Sequence, residues 1–463
     1  MGRLYLLLGS AVGLASVAGA QSSVPPATPQ TVPPAISPAS APFAASAGQQ
    51  SLLARMRLAG ATDIATRPAS GGGMVVHGKL AGRTFVLAFP ASWNRQGLLF
   101  ANGYSTPGTI PTVPDDPIVK DPGGGMLKQA YGDGFAVGLA VFDKSGVGTE
   151  TGAVNTLRLR DFLVKVGATR MYIAGGSMGG SIVMSLIEQH PKAFAGAVSA
   201  CGVTQGWISL VGQLIDMRAA YNVLTEGTPY ALPGERDVTR SALPTIPAAG
   251  DTTDGEAFRN QQKTKLLMPV LALFLAAKKD PQGKEARIIR QVAAIGGFAP
   301  DPSALAAPLY SGALGMDDIV ATMGGVPVGN VGKVYVPPEM TAAEAADFNR
   351  RIQRFAASPK AIAYARQWHE ATGRFTVPLI TIHQMIDALV PFAQSEALGR
   401  IVARAGNSRN LVQYAVAPTR IPLPGGLEGY THCGFTPAQN SGTFPLLRRW
   451  VETGKRPAAD AIK

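Results

Sequence analysis

The chain has 463 residues, 46% of them hydrophobic and only 16% charged, a balance that excludes general disorder. That length allows one elaborated domain or a core carrying a cap. The formal charge of +12 is scattered, apart from small clusters such as Lys278-Lys279 and Arg448-Arg449, with no long basic run, zinc-ligand spacing or basic-aromatic stripe, so no nucleic-acid partner is expected.

Residues 1–20 read as a secretory signal peptide: Arg3 gives a basic start, 4–17 is apolar, and Ala18-Gly19-Ala20 forms a small-x-small cleavage site before Gln21. The apolar stretch is short for a membrane span and no stop-transfer charges follow, so no stable membrane insertion is expected. No cysteine follows the cleavage site, so nothing supports a lipoprotein anchor. The mature chain should be secreted or periplasmic. Residues 21–50, rich in Pro, Ala and Ser, read as a flexible leader.

From residue 51 the pattern becomes that of a folded unit. Alternation at 74–78 and 83–90 predicts the first strands. The apolar run 97–101 predicts a buried strand entering the turn Asn102-Gly103-Tyr104, and 135–142 predicts another. Helical spacing follows at 154–166. The run 171–174 is a strand, Gly175-Gly176-Ser177-Met178-Gly179-Gly180 is a tight turn, and 182–187 is the apolar face of a helix. A further strand covers 194–201. Apolar strands alternating with amphipathic helices predict a mostly parallel sheet covered on both faces. In such sheets active groups gather at the C-terminal strand ends, where Asn102, Ser177 and Cys201 fall.

The character then changes. Residues 205–373 are read as a helical cap inserted between two core parts, 51–204 and 374–463. Helices are predicted at 207–224, at 266–277 with Pro269 near the start, and at 285–295; Thr341 and Glu344 form a capping box. Met316, Met323 and Met340 are either cap core or the lining of an apolar binding surface. The core resumes with a strand at 377–383, a loop carrying Asp387 and a helix at 392–403. The last strand, 411–416, feeds a Gly/Pro-rich loop ending in Gly429-Tyr430-Thr431-His432-Cys433-Gly434-Phe435, and a terminal helix covers 444–454.

Gly175-x-Ser177-x-Gly179 between a strand and a helix is the pattern of a nucleophile elbow: the turn exposes the hydroxyl beside a helix N-terminus, which favours developing negative charge. A serine needs a base within hydrogen-bond reach and a carboxylate to orient that base. Of the five histidines, His77 lies on an early strand, His190 at a helix end, His369 in the cap and His383 at a strand end. His432, in the loop after the last strand, is the expected base, with His383 the competitor. Asp387 is the expected acid, with Asp143 and Glu428 as alternatives. The oxyanion is expected to meet the backbone N–H of Met178 and that of Tyr104, with side-chain donation from Asn102 or Tyr104 as another route.

On these motifs the chain resembles the α/β-hydrolase superfamily, in particular secreted serine esterases with a large cap. The resemblance covers about 75–455 without most of the cap. It rests on the elbow, on His383-x-x-x-Asp387-x-x-Val390-Pro391, and on Thr431-His432-Cys433-Gly434-Phe435-Thr436. It implies an α/β-hydrolase fold with Ser177, Asp387 and His432 as nucleophile, acid and base. The histidine-cysteine pair is also similar to tannase and feruloyl-esterase-like enzymes, in which that cysteine bonds to one preceding the nucleophile. Here Gly176 occupies that position. The partner left for Cys433 is Cys201; two separate buried thiols are the alternative.

The expected reaction is hydrolysis of a small-molecule or oligomeric carboxylic ester through an acyl-enzyme, on a bulky or aromatic substrate. A serine peptidase or amidase using the same triad is the alternative. No metal or organic cofactor is expected, because no dinucleotide fingerprint, phosphate loop or H-E-x-x-H motif is present.

Overall fold

The structure, a computed structural model, describes residues 45–247 and 255–462. The signal-peptide reading and most of the leader lie outside these residues. The first described helix, α1 (Ala47–Leu58), begins inside the range read as leader, with Ser46 as N-cap and Gln49 completing a capping box.

Three antiparallel strands follow: β1 (Thr62–Pro68), β2 (Met74–Leu80) and β3 (Arg83–Phe89). Beyond them run β4 (Gln96–Ala101), α2 (Met126–Gly132), β5 (Ala136–Ala140), α3 (Thr149–Val166), β6 (Arg170–Gly176), α4 (Met178–Gln189) and β7 (Gly196–Ala200). The cap comprises α5 (Trp207–Leu224), α6 (Gly255–Lys279), α7 (Lys284–Gly296), α8 (Pro302–Met323), α9 (Ala342–Arg351) and α10 (Pro359–His369). The chain returns to the core as β8 (Leu379–Gln384), α11 (Ala393–Arg404) and β9 (Leu411–Val416). It ends with a hairpin, β10 (Arg420–Leu423) and β11 (Leu427–Tyr430), and then α12 (Pro437–Thr453).

The main sheet has the order β1-β2-β3-β5-β4-β6-β7-β8-β9, and β5, β4, β6, β7, β8 and β9 are mutually parallel. Because side chains alternate along a strand, one sheet feeds two apolar layers. Leu99 and Ile173 join one layer with Phe162 of α3 and Ile182 of α4. Leu98 and Tyr172 join the other with Met126 of α2 and Phe444 of α12. This is the α/β-hydrolase arrangement, with its large helical insertion ahead of the last core strands.

Between β7 and β8 the described residues form no strand, only an isolated bridge between Gly206 and Glu370 at the root of the cap. The helix predicted at 266–277 is longer, so Pro269 sits in its interior. The predicted helices miss α8 altogether. Met316 and Met323, on α8, are fully buried in the layer that continues from the core, so they are packing residues. The loop predicted after β9 holds the β10–β11 hairpin. Among the described residues no helix is long and apolar enough to cross a membrane.

Candidate active site

Ser177 stands between β6 and α4 with φ 55° and ψ −122°, a left-handed conformation that a non-glycine residue adopts only when its surroundings force it. The surroundings are backbone packed against backbone. A Cβ on Gly179 would lie 2.0 Å from Ala101 O, and one on Gly175 would lie 2.4 Å from Gly179 O. Both positions therefore require glycine, and the elbow seats directly on the end of β4. Ser177 N–H donates to Ala200 O at 3.0 Å, which ties the turn to β7.

The structure brings Ser177, His432 and Asp387 into one line. His432 Nε2 lies 2.9 Å from Ser177 Oγ, and His432 Nδ1 lies 2.7 Å from Asp387 Oδ1. The carboxylate accepts at Nδ1–H, which leaves Nε2 able to accept the serine proton. Asp387 Oδ1 also accepts from the N–H groups of Leu389 and Val390, both at 2.8 Å, and Oδ2 accepts from Cys433 N–H at 3.0 Å. Burial would raise this carboxyl's pKa; the facing imidazoles of His432 and His383 and the Cys433 N–H outweigh it and hold the group below its ordinary value.

The other candidates lie elsewhere. His383 is buried on β8, and its ring nitrogen donates to Val390 O at 2.9 Å, bracing the loop that carries Asp387. Burial pushes its pKa down, against the pull of Asp387 and Val390 O. Asp143 pairs with Arg83 at 2.9 Å, and Glu428 pairs with Arg420 at 3.6 Å on the surface. His77 bonds to Asp115 O, and His190 follows the end of α4.

Met178 opens α4, where a backbone N–H has no intrahelical acceptor. The turn 102–105 lies beside Ser177: a Cβ on Gly103 would be 3.5 Å from Ser177 Cβ. The Tyr104 side chain points away, towards the cap. Its hydroxyl occupies the space that a side chain on Gly315 of α8 would need, at 2.6 Å from the Cβ position. Burial, with the nearby Asp318 carboxylate, pushes the Tyr104 phenol well above its ordinary pKa.

Cys201 and Cys433 are joined by a disulfide, with Cα atoms 5.4 Å apart. Both adopt left-handed conformations, φ 44° and 55°. Of the described non-glycine residues with positive φ, Ser177, Cys201 and Cys433 thus gather around one point. Asp387, His432 and Cys433 place ligand-type atoms within 4.8 Å of one another. The Cys433 sulfur is committed to Cys201 and the carboxylate to four hydrogen bonds, so this donor set does not fit a metal ion.

Sequence reading missed several supports. Gln384, fully buried at the end of β8, clamps the His432 loop: its Oε1 accepts from Gly434 N–H at 3.0 Å and its Nε2 donates to Gly434 O at 3.2 Å. A polar residue closing an apolar strand just before Asp387 was the available signal. The start of α8 was signalled by Asp301 as N-cap followed by Pro302 at the first helical position. Asp301 Oδ1 accepts from Ser303 and Ala304 N–H, and also from Tyr430 N–H at 3.1 Å, two residues before His432.

Residues 159–213, covering the elbow and its flanking elements, match the model of the prolyl oligopeptidase family. Among solved structures the chain is similar to feruloyl esterase B from Aspergillus oryzae, with 13% identity over 86% of this chain and 88% of that one and a TM-score of 0.45. It is also similar to an esterase from Aspergillus oryzae, with 13% identity, 86% and 87% coverage and a TM-score of 0.40. A third is the rice cell wall degrading esterase LipA from Xanthomonas oryzae, with 13% identity, 76% and 81% coverage and a TM-score of 0.34. No curated protein matches the sequence.

Proposed function

We propose that this chain is a serine-dependent carboxylic ester hydrolase in which Ser177 is the nucleophile, His432 the base and Asp387 the orienting acid. The observation that carries this reading is the unbroken line from Ser177 Oγ through the imidazole to a buried carboxylate, at 2.9 and 2.7 Å. The serine stands in a strained strand-to-helix turn. In the proposed reaction Ser177 Oγ attacks the ester carbonyl as His432 Nε2 takes its proton. The developing oxyanion meets Met178 N–H and the N–H of Tyr104. The imidazolium, stabilised by Asp387, protonates the leaving alcohol. Water, activated by the same imidazole, then releases the acid and restores the serine.

The cap, the range read as 205–373, is assigned the task of admitting a bulky or aromatic ester, on the ground that two of its helices, α5 and α8, are predominantly apolar and that α8 meets Tyr104 and Tyr430 beside the site. The disulfide fits an oxidising compartment, in keeping with the secreted or periplasmic location expected from residues 1–20.

Replacing Ser177 by Ala should reduce hydrolysis of an activated ester to the uncatalysed background with an unchanged far-ultraviolet circular dichroism spectrum. Equal turnover by the two proteins would overturn the reading. A peptidase or amidase reading has one observation in its favour, the prolyl oligopeptidase model over 159–213. Esters and amides sharing one acyl group separate the two: the esterase reading expects measurable turnover of the ester alone.

A further inference from the structure

The cap helix α8 meets the core segments around the candidate site at three places. At its N-terminus, Asp301 holds Tyr430 N–H at 3.1 Å, at the foot of the His432 loop. In its middle, Gly315 leaves the space that the Tyr104 hydroxyl occupies. One turn later, Asp318 reaches into the core. Its Oδ1 accepts from Lys144 Nζ at 2.5 Å and its Oδ2 accepts from Val147 N–H at 2.7 Å, with the side chain only 13% exposed. Lys144 also donates to Thr322 on α8.

The segment that Asp318 grips is the loop between β5 and α3, and this loop carries the 102–108 turn. Gly146 N–H donates to Ser105 O at 2.9 Å, in an isolated bridge between the two residues, and Gly108 N–H donates to Ser145 Oγ at 3.0 Å. Gly146, at φ 75°, is closely apposed to this carboxylate: a Cβ there would lie 2.1 Å from Asp318 Oδ2, so a larger residue would displace the Asp318 side chain. A chain of short contacts therefore runs from α8 through Asp318, Gly146 and Ser105 to Tyr104 and Gly103, the residues beside Ser177.

We infer that Asp318 is a positioning residue for the oxyanion turn, and that α8 is a fixed crossbar whose attachment to the core sets where the Tyr104 N–H points. This inference rests on the hydrolase reading. A displaced donor weakens stabilisation of the transition state more than binding of the ground state, because charge develops only as the bond forms. Its loss is therefore read in kcat.

The test compares wild type, Ser177→Ala, Asp318→Asn and Lys144→Met on one small activated ester, well below each protein's unfolding temperature. Asp318→Asn should lower kcat on the order of 10–100-fold with KM nearly unchanged, the size of loss that an ångström of misplacement produces. Lys144→Met removes the charged half of the tether and leaves the Val147 N–H contact and α8 intact, so it should lower kcat in the same direction, severalfold, with KM again nearly unchanged. If Asp318→Asn does not fold, Lys144→Met decides. Wild-type kcat in the folded variants, with only a lowered unfolding temperature, would show a purely structural anchor and overturn the inference. Turnover that Ser177→Ala leaves unchanged would instead remove the hydrolase reading, and the inference with it.

Discussion

In the core, the strained serine is specified by its immediate neighbours: Gly175 and Gly179 meet backbone atoms where any side chain would collide, and Ser177 is the single residue between β6 and α4. In the cap, α8 reaches the same site through residues 129 to 174 positions away in sequence from their partners. Asp318 grips Lys144 and Val147, and Asp301 holds Tyr430. The core thus presents chemistry by local backbone geometry, and the cap supports it by distant side-chain contacts. The first kind of information is written in a short motif. The second exists only once the sheet has brought the loops together.

The largest effect should come from the core side. Asp387→Asn removes the charge that stabilises the imidazolium, and its N–H₂ must face either Cys433 N–H or His432 Nδ1 together with the Leu389 and Val390 N–H groups; in the second placement Nδ1 carries no proton and Nε2 cannot accept from Ser177. A kcat loss on the order of 10⁴-fold is expected, with the fold retained. Steady-state kinetics check this. A loss of only a few fold would mean that the buried carboxylate does not set the tautomer.

Next in size is the link that joins core and loop directly. Replacing Cys201 and Cys433 together by Ser opens a tie spanning 232 residues of sequence. A stability loss of about 2–4 kcal/mol is expected from releasing such a constraint on the unfolded chain. The His432 loop is still held by Gln384 and by Asp387 through Cys433 N–H, so activity should fall less than in Asp387→Asn. Urea unfolding and kcat on the same samples test both parts. Undiminished stability would mean that these polar contacts alone hold the loop.

What was legible in the sequence follows the same division. The parallel strands, the elbow and the order Ser177, Asp387, His432 are carried by continuous apolar runs and by turn chemistry, which depend on near neighbours. The helical character of the insertion was visible as well, down to the Thr341 and Glu344 capping box, which the structure contains. The helix that matters most to the site is signalled only at its start, by Asp301 and Pro302. α8 is rich in Ala and Gly, carries Pro308 in its interior and is buried along much of its length, so it lacks the polar face from which helices are read. The β10–β11 hairpin was hidden for a related reason: a proline and glycines make its turn look like an irregular loop. Gln384 stands out in the sequence only as a polar residue closing an apolar strand, and its partner, like that of Asp318, appears only in three dimensions.

The smallest expected effect lies at the root of the cap, where Glu370 accepts from Ile208 N–H at 2.8 Å at the start of α5. A side chain on Gly206 would collide with this carboxylate, at 2.3 Å from Oε1, so the two residues are tightly apposed. Burial raises the Glu370 pKa from 4.5 to about 7, although the N–H groups of Ile208 and Trp207 and the charge of Arg366 pull it down. The folded protein therefore binds this proton more tightly than the unfolded chain does. The resulting contribution to stability is present below pH 4.5 and lost as the pH rises to about 7. Glu370→Gln cannot ionise and keeps an acceptor for Ile208, so it should lack this slope. Relative to wild type, it should gain on the order of 1–2 kcal/mol between pH 5 and pH 8. Unfolding midpoints of both proteins across that range measure the difference. Parallel pH profiles would mean that water reaches the carboxylate, and hence that the cap is less tightly closed at its root than at α8, where Asp318 holds it to the core.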